Sequence, residues 1–273
     1  MGLIRMAFVE LSGLLRSSKV LILCLYLIFV NIQVIDPLRG VSQDMNGKLS
    51  VFEPFIAISN SGIILLVLPL LYIVMMADYP REGGVQYFIR IRSNLRSWIT
   101  EQIIFSFFAS VIVVTVVVLG SMILSIDFVD ISPRYSDALM RYSEVFPEKA
   151  GGYITNLFPT QFYNQTTAVG SFLYSVSIWI LFYNALSLII ITMSFYSQKI
   201  AGIIIDSVLV IAGAISSNIQ WFFPLPHVVL YMHYEEYAAI PKISPGWSYL
   251  YFISLNVILI VVCLVFAKKG RKI

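Results

Sequence analysis

Charge is scarce in this chain. Asp, Glu, Lys and Arg make up only 12% of its 273 residues, while 59% are hydrophobic. Soluble domains carry about 25% charged residues, so the solvent here is mostly lipid, and length counts membrane crossings rather than soluble domains. Cysteine is nearly absent. Cys24 and Cys263 each lie inside an apolar run, which excludes a disulfide framework and a Cys-based zinc site. No metal, haem or iron–sulfur spacing occurs. The phosphate loop G-x-x-x-x-G-K-[ST] is missing, so the chain has no usual means of binding and splitting ATP. H-E-x-x-H and G-x-S-x-G are missing as well. The net charge of +3 is too small to imply nucleic acid. His227, His233, Glu235 and Glu236 form the one conceivable catalytic group. Their six-residue His spacing puts the rings on different helix faces, which suits interfacial side chains better than joint metal ligation.

What the chain does have is a succession of apolar runs. Residues 1–19 are too charged to span. Leu3, Ile4, Ala7, Phe8, Leu11, Leu14 and Leu15 share one helical face and Arg5, Ser12 and Arg16 the other, predicting an amphipathic helix in the membrane interface. The remainder, 20–273, reads as an all-α transmembrane domain with six spans, at about 20–35, 55–77, 99–126, 168–195, 200–217 and 250–267. A polar loop is expected over Asp36–Pro54. Larger outer segments are expected at 127–167, with one or two short helices, and at 218–249, which is rich in Pro and aromatics. Asn60 and Ser61 stand in a small, polar cluster of the second span, and Pro69 should bend its lower half. Asp206 is the one acid deep inside a span. Such a residue is a functional candidate by default, with capping near its helix start as the alternative role.

Between the second and third spans lies a charged island, 78–98. Pro80, Gly83 and Gly84 break the incoming helix. Tyr87, Phe88, Ile91, Leu95 and Trp98 then fall on one arc, with Arg92 and Arg96 one turn apart on the other side, predicting a short basic amphipathic helix. Sidedness sets the orientation. With both termini inside, the cytoplasmic segments hold 12 of the 18 basic residues, and the outer loops hold ten of the 15 acids. This bias predicts cytoplasmic N and C termini and an even number of spans.

An interfacial N-terminal helix, six spans, a basic cytoplasmic helix between spans two and three, and a broken aromatic outer segment before the last span form one combination. It resembles the membrane (permease) subunit of type-2 ATP-binding cassette (ABC) exporters. At motif level the likeness is carried by Glu82, Gly83, Val85, Phe88, Arg90, Arg92 and Arg96 in that order, while Gln86, Tyr87 and Ile89 replace the family's usual Thr and Leu run. The resemblance implies a cell-membrane protein, bacterial and multi-pass, that pairs with a second permease subunit, identical or homologous, and with two ABC ATPase subunits. ATP and Mg would bind those partners, with no cofactor and no catalysis in this chain. It further implies that a coupling helix carrying Arg81, Glu82, Tyr87, Phe88, Arg90, Arg92 and Arg96 docks on the ATPase. Asn60, Ser61 and Asp206 would then lie along the translocation path or its gate. The aromatic, apolar spans fit a hydrophobic or amphipathic cargo such as a peptide, lipid or drug. Composition alone also fits a self-contained channel or secondary transporter, a membrane enzyme using the outer His/Glu group, or an immunity or scaffold protein.

Overall fold

The computed structural model describes residues 2–81, 94–196, 198–215, 222–234 and 243–269, apart from the side chains of 160, 161 and 266–269. The expected coupling-helix residues Glu82, Tyr87, Phe88, Arg90 and Arg92 lie outside the described residues, as do 216–221 and Glu235 and Glu236.

The described chain is mostly helical, as its apolar periodicity requires. The first helix, α1, covers Leu3–Leu15. Its apolar face is divided differently from the expectation. Met6, Ala7, Glu10, Leu11 and Leu14 are buried against the protein, whereas Ile4, Phe8 and Leu15 are exposed. The next helix does not end at Ile35. Helix α2 (Val20–Val30) passes through a π-helical turn, Asn31–Ile35, into α3 (Asp36–Asp44), so the expected polar loop begins only after Asp44. Pro37 stands in the first turn of α3, and the wider π turn before it accommodates the missing N–H. Leu38 and Val41 are buried on this extension, and Arg39 pairs with Asp36 at 2.7 Å and Asp127 at 3.1 Å.

The expected second span is two helices rather than one. Helix α4 (Glu53–Asn60) meets α5 (Gly62–Met76) at 84°. Ser61 is extended at the break, and its Oγ accepts from the N–H of Ile64, capping α5. Helix α6 (Leu95–Leu124) follows, and Asn94 caps it through Oδ1. Two short strands, β1 (Leu49–Ser50) and β2 (Val129–Asp130), pair in parallel. The segment after β2 folds into more elements than expected: α7 (Asp137–Met140), α8 (Tyr142–Val145), α9 (Tyr153–Leu157) and α10 (Thr160–Gln165), with a 3-10 turn at Pro147–Lys149. Then come α11 (Ala168–Phe195), α12 (Lys199–Ile215), 3-10 turns at Leu225–His227 and Leu230–His233, and α13 (Pro245–Lys269).

Among the described residues four helices are long and apolar enough to cross a membrane: Val20–Asp44, α6, α11 and the Pro245–Val265 part of α13. The bent pair α4–α5 raises the number to five. Helix α12 is apolar but shorter over its described length.

Helix α11 is the axis of the bundle. It packs against α4, α5, α6, α12 and α13 and buries Trp179, Phe182, Tyr183, Leu186 and Ile190. A polar seam ties three of these helices together. Ser106 of α6 donates to Asn184 Oδ1 at 3.0 Å, and Asn184 Nδ2 donates to Asn256 Oδ1 of α13 at 2.8 Å. Asn256 Nδ2 donates in turn to the carbonyl of Leu181 at 3.0 Å. In apolar surroundings each such bond contributes about 0.6 kcal/mol and fixes helix register. Farther along, Tyr72 of α5 bonds Ser187, and Thr192 lies 3.1 Å from the Sγ of the buried Cys263.

Candidate functional site

Two clusters stand out, one at each end of α5. The basal cluster is built on the four residues that leave its C-terminus, Asp78 to Arg81. Lys19, just before α2, pairs with Asp78 at 2.8 Å and donates to the carbonyls of Met75 at 2.9 Å and Val74 at 3.1 Å. An ammonium there satisfies carbonyls that the helix end leaves open and opposes its negative pole. The hydrogen bond from Lys19 holds the Asp78 carboxyl below its ordinary range. Tyr79 is buried with its ring 4.7 Å from that of Phe105 in α6. The Arg81 guanidinium lies 4.9 Å above the Tyr79 ring. Its Nη1 sits 3.3 Å from the point where a Cβ on Gly13 would project, so the absent side chain of Gly13 lets Arg81 lie close against α1. Lys199, at the start of α12, donates to the Pro80 carbonyl at 3.4 Å. The root of the 78–98 loop thus touches α1, α6 and α12 while continuing α5.

Beside this root lies a pair of acids that sequence reasoning missed. Glu10 of α1 and Glu101 of α6 are both buried, with Gln102 between them. Gln102 Nε2 donates to Glu10 Oε2 at 2.6 Å and to Glu101 Oε2 at 2.8 Å. Glu10 Oε1, Glu101 Oε1 and Gln102 Oε1 are buried without a hydrogen-bond partner among the described residues. Burial, and then the neighbouring Glu101, raises Glu10 from 4.5 to about 9, with Arg81 and Gln102 opposing the shift. Two buried carboxylates joined by one amide disfavour double ionisation, so the pair favours keeping a proton while Gln102 ties α1 to α6. A signal for Glu10 existed: it stands three residues after Ala7 and four before Leu14, on the face that is buried.

At the other end of α5, the bend at Ser61 gathers the loop-rich segments. Asn60 Nδ2 donates to the Leu157 carbonyl at 2.7 Å, and its Oδ1 accepts from the Tyr231 N–H at 3.1 Å. Ser61 Oγ is 2.6 Å from the Tyr153 hydroxyl. Asn60 therefore has both ends of its amide occupied, one by each loop segment. Glu53, at the start of α4, is a second missed acid. It is fully buried and accepts from the N–H groups of Ser50 and Ser136, both at 2.7 Å, joining β1 to the cap of α7.

Asn60 and Ser61 are neighbours, but Asp206 and the two described arginines of the expected coupling set are not brought to them. Asp206 is buried in α12, on the side close to Tyr72 of α5, and neither carboxyl oxygen has a hydrogen-bond partner among the described residues. Arg81 is half-buried at the basal root, and Arg96 is exposed in the first turn of α6.

The two histidines meet through the His227 carbonyl, 3.3 Å from His233 Nε2, while their rings have different further partners. His233 Nδ1 is 2.6 Å from the Ile243 carbonyl and Nε2 2.8 Å from the Tyr174 hydroxyl. A carbonyl only accepts, so Nδ1 donates to Ile243 at the shorter carbonyl contact, while Nε2 faces both the Tyr174 hydroxyl and the His227 carbonyl at 3.3 Å. Burial lowers His233 to about 4, keeping the ring neutral. His227 meets Ser248 at 2.9 Å and stacks on Tyr251. Among the described residues no three His, Cys, Asp or Glu side chains are arranged to hold a metal.

No protein-family model, curated protein or solved structure matches this chain. Its class follows from its own residues: a multi-helix chain whose long apolar helices have the length and composition of membrane spans.

Proposed function

We propose that this chain is the permease subunit of an ATP-driven type-2 ABC exporter. It forms half of a translocation pathway for a hydrophobic or amphipathic substrate. In this reading the basal end faces the cytoplasm, both termini are cytoplasmic, and α4–α5 and α12 complete six spans in the plasma membrane. A second permease subunit and two ATPase subunits complete the assembly, and ATP and Mg bind the latter. The 78–98 loop docks on the ATPase through Arg81, Glu82, Tyr87, Phe88, Arg90, Arg92 and Arg96.

The single observation that carries the reading is the root of that loop. Lys19, Tyr79, Arg81 and Lys199 link it to α1, α6 and α12 as well as to α5. A push on the loop is therefore delivered to four helices together, as a coupling device requires. Asp206 supports the reading independently. A buried carboxyl without a partner is costly, so α12 has a reason to adopt a second packing in which Asp206 finds water or a donor. Asn60 and Ser61 act at the far end as the joint through which α5 moves the loop segments.

The test is an Arg92→Glu, Arg96→Glu double variant, expressed with the ATPase that co-purifies with the native chain. ATP hydrolysis should persist while export falls at least ~10-fold, with the variant still inserted. Full export by this variant, or the lack of any co-purifying ATPase, refutes the proposal. A channel or secondary transporter predicts instead that purified chain alone conducts flux in vesicles under an ion gradient.

A further inference from the structure

We infer that Asp206 is a binding site for a proton, and that release of this proton goes with the parting of α12 from α11 and α5. The inference concerns the chain by itself, without ATPase or cargo, so it is tested apart from the exporter reading.

The buried face of α12 is narrow: Gly202, Asp206, Val210 and Gly213. Both glycines mark close approach. A Cβ on Gly202 would stand 3.1 Å from the Ile190 Cα of α11 and 3.4 Å from the Ile189 carbonyl oxygen. One on Gly213 would stand 2.9 Å from the Leu225 Cβ. Between these two clamps the Asp206 side chain is fully buried, and neither carboxyl oxygen has a hydrogen-bond partner among the described residues. On the outer side Ile204, Ile205 and Val208 form an exposed apolar belt. An acid in such surroundings neutralises rather than stay charged and unpaired.

The neighbouring hydroxyls select the neutral form. Helix α12 runs back along α11, with Gly202 against Ile190. Asp206, one turn beyond Gly202, therefore comes level with Leu186 and Ser187, where Tyr72 of α5 also arrives. Ser187 donates its one hydrogen to the Tyr183 carbonyl at 3.0 Å. Tyr72 must then donate to Ser187, which leaves the Tyr72 oxygen able only to accept. On α12 itself, Ser207 gives its hydrogen to the Ile203 carbonyl at 2.8 Å. These hydroxyls can take a hydrogen from a carboxylic acid but have none to offer a carboxylate. A metal ion is poorly served, since among the described residues no three His, Cys, Asp or Glu side chains gather to hold one.

The titratable groups packed around α12 are few. Tyr72 comes from α5, and Tyr183 from α11 with its ring 4.7 Å from that of Tyr72. The 3-10 turn that meets Gly213 carries His227, two turns beyond Asp206. Lys199 lies two turns before it, at the basal end of α12. Two turns span about 10 Å, so an outward swing of that end brings water to Asp206. The proton then passes to water and the carboxylate is hydrated. Proton binding thus favours the closed of two packings.

Infrared spectroscopy in nanodiscs, with aspartate isotope-labelled at its side-chain carboxyl, separates Asp206 from the buried glutamates, and every other aspartate is exposed. At pH 7 the native chain should show the carbonyl stretch of a protonated carboxyl and should lose it by pH 10. The Asp206→Asn and Asp206→Leu chains should lack the band throughout. Spin labels at the exposed Val74 of α5 and Ile204 of α12, with Cys24 and Cys263 replaced by Ala, report the separation of the helices. The native labels should move apart over the pH interval in which the band is lost, while both neutral variants keep the shorter distance. A native spectrum without the band at pH 7, a band that persists at pH 10, or distances that ignore its loss each overturn the inference. So does a band that appears only when choline replaces sodium, because the carboxyl then holds a metal ion.

Discussion

Replacing Glu10 with Gln should make the seating of α1 on α6 independent of pH. In the native chain the buried Glu10 carboxyl stands against Glu101, with Arg81 and Tyr79 the other ionisable groups near it, and its pKa rises from 4.5 to about 9. The sign follows from linkage. Below pH 4.5 the acid is protonated whether α1 is seated or free, and the contact contributes fully. As pH rises from 4.5 to about 9, a free Glu10 ionises while a seated one keeps its proton, so seating weakens steadily. Above about 9 the contribution is gone. At roughly 1.4 kcal/mol per pKa unit, a rise of this kind corresponds to several kcal/mol at most, lost progressively across that range. A Gln at position 10 supplies an N–H donor to Glu101 without ionising. Spin labels at Val9 and Thr100, in a chain with Cys24 and Cys263 replaced by Ala, report the separation of the two helices in nanodiscs. The native chain should shift toward longer distances between pH 5 and pH 9.5, and the Glu10→Gln chain should not. Identical, pH-invariant distances in both chains would refute the retained-proton account.

Other perturbations follow from the same geometry. Asn60→Leu leaves the Leu157 carbonyl and the Tyr231 N–H without their buried partner. It should cost about 2–4 kcal/mol and raise hydrogen exchange in both loop segments, whereas exchange raised in only one would contradict the joint at the bend. Gly202→Val projects a Cβ to 3.1 Å from the Ile190 backbone and 3.4 Å from the Ile189 carbonyl. It should therefore part α12 from α11 and lower the melting temperature, and an unchanged melt would contradict the close packing. His233→Phe removes both the bond to Ile243 and the contact with Tyr174. It should raise hydrogen exchange at Tyr234, Ile243 and Ser244, while unchanged exchange would mean that this side chain does not hold those residues in place.

The long apolar helices were legible because composition and length decide them. The residues 168–195 read as a span are α11, and the third and last spans differ from α6 and α13 by a few terminal residues. The misreadings occur where backbone geometry, rather than hydropathy, decides. Pro37 and Asp36 suggest a loop, yet a π turn carries the helix past them. Asn60 and Ser61 look like small residues for close packing, but their hydrogen bonds to distant loops take the chain through a right-angled break. The sequence reading gave Glu10, Glu53 and Glu101 no role. The spacing of Glu10 marks its buried face, but the partners across from these acids lie tens of residues away, and no local pattern names them. The fold of segment 127–167 was likewise hidden, because its short helices are held by side chains such as Glu53 and Asp44, which bonds Lys149 and Tyr142.

Helix α5 has a mechanical consequence. Its 15 residues make a rod of about 22 Å, fastened below by a lysine and an arginine and above by a serine and an asparagine. A continuous helix fixed at both tips passes a tilt from one to the other, with Pro69 as the interruption in its hydrogen-bond ladder. A nudge at Arg81 would therefore reach the Tyr153 hydroxyl and the Tyr231 amide as a shift of whole segments, with no relay of side-chain rearrangements through the interior.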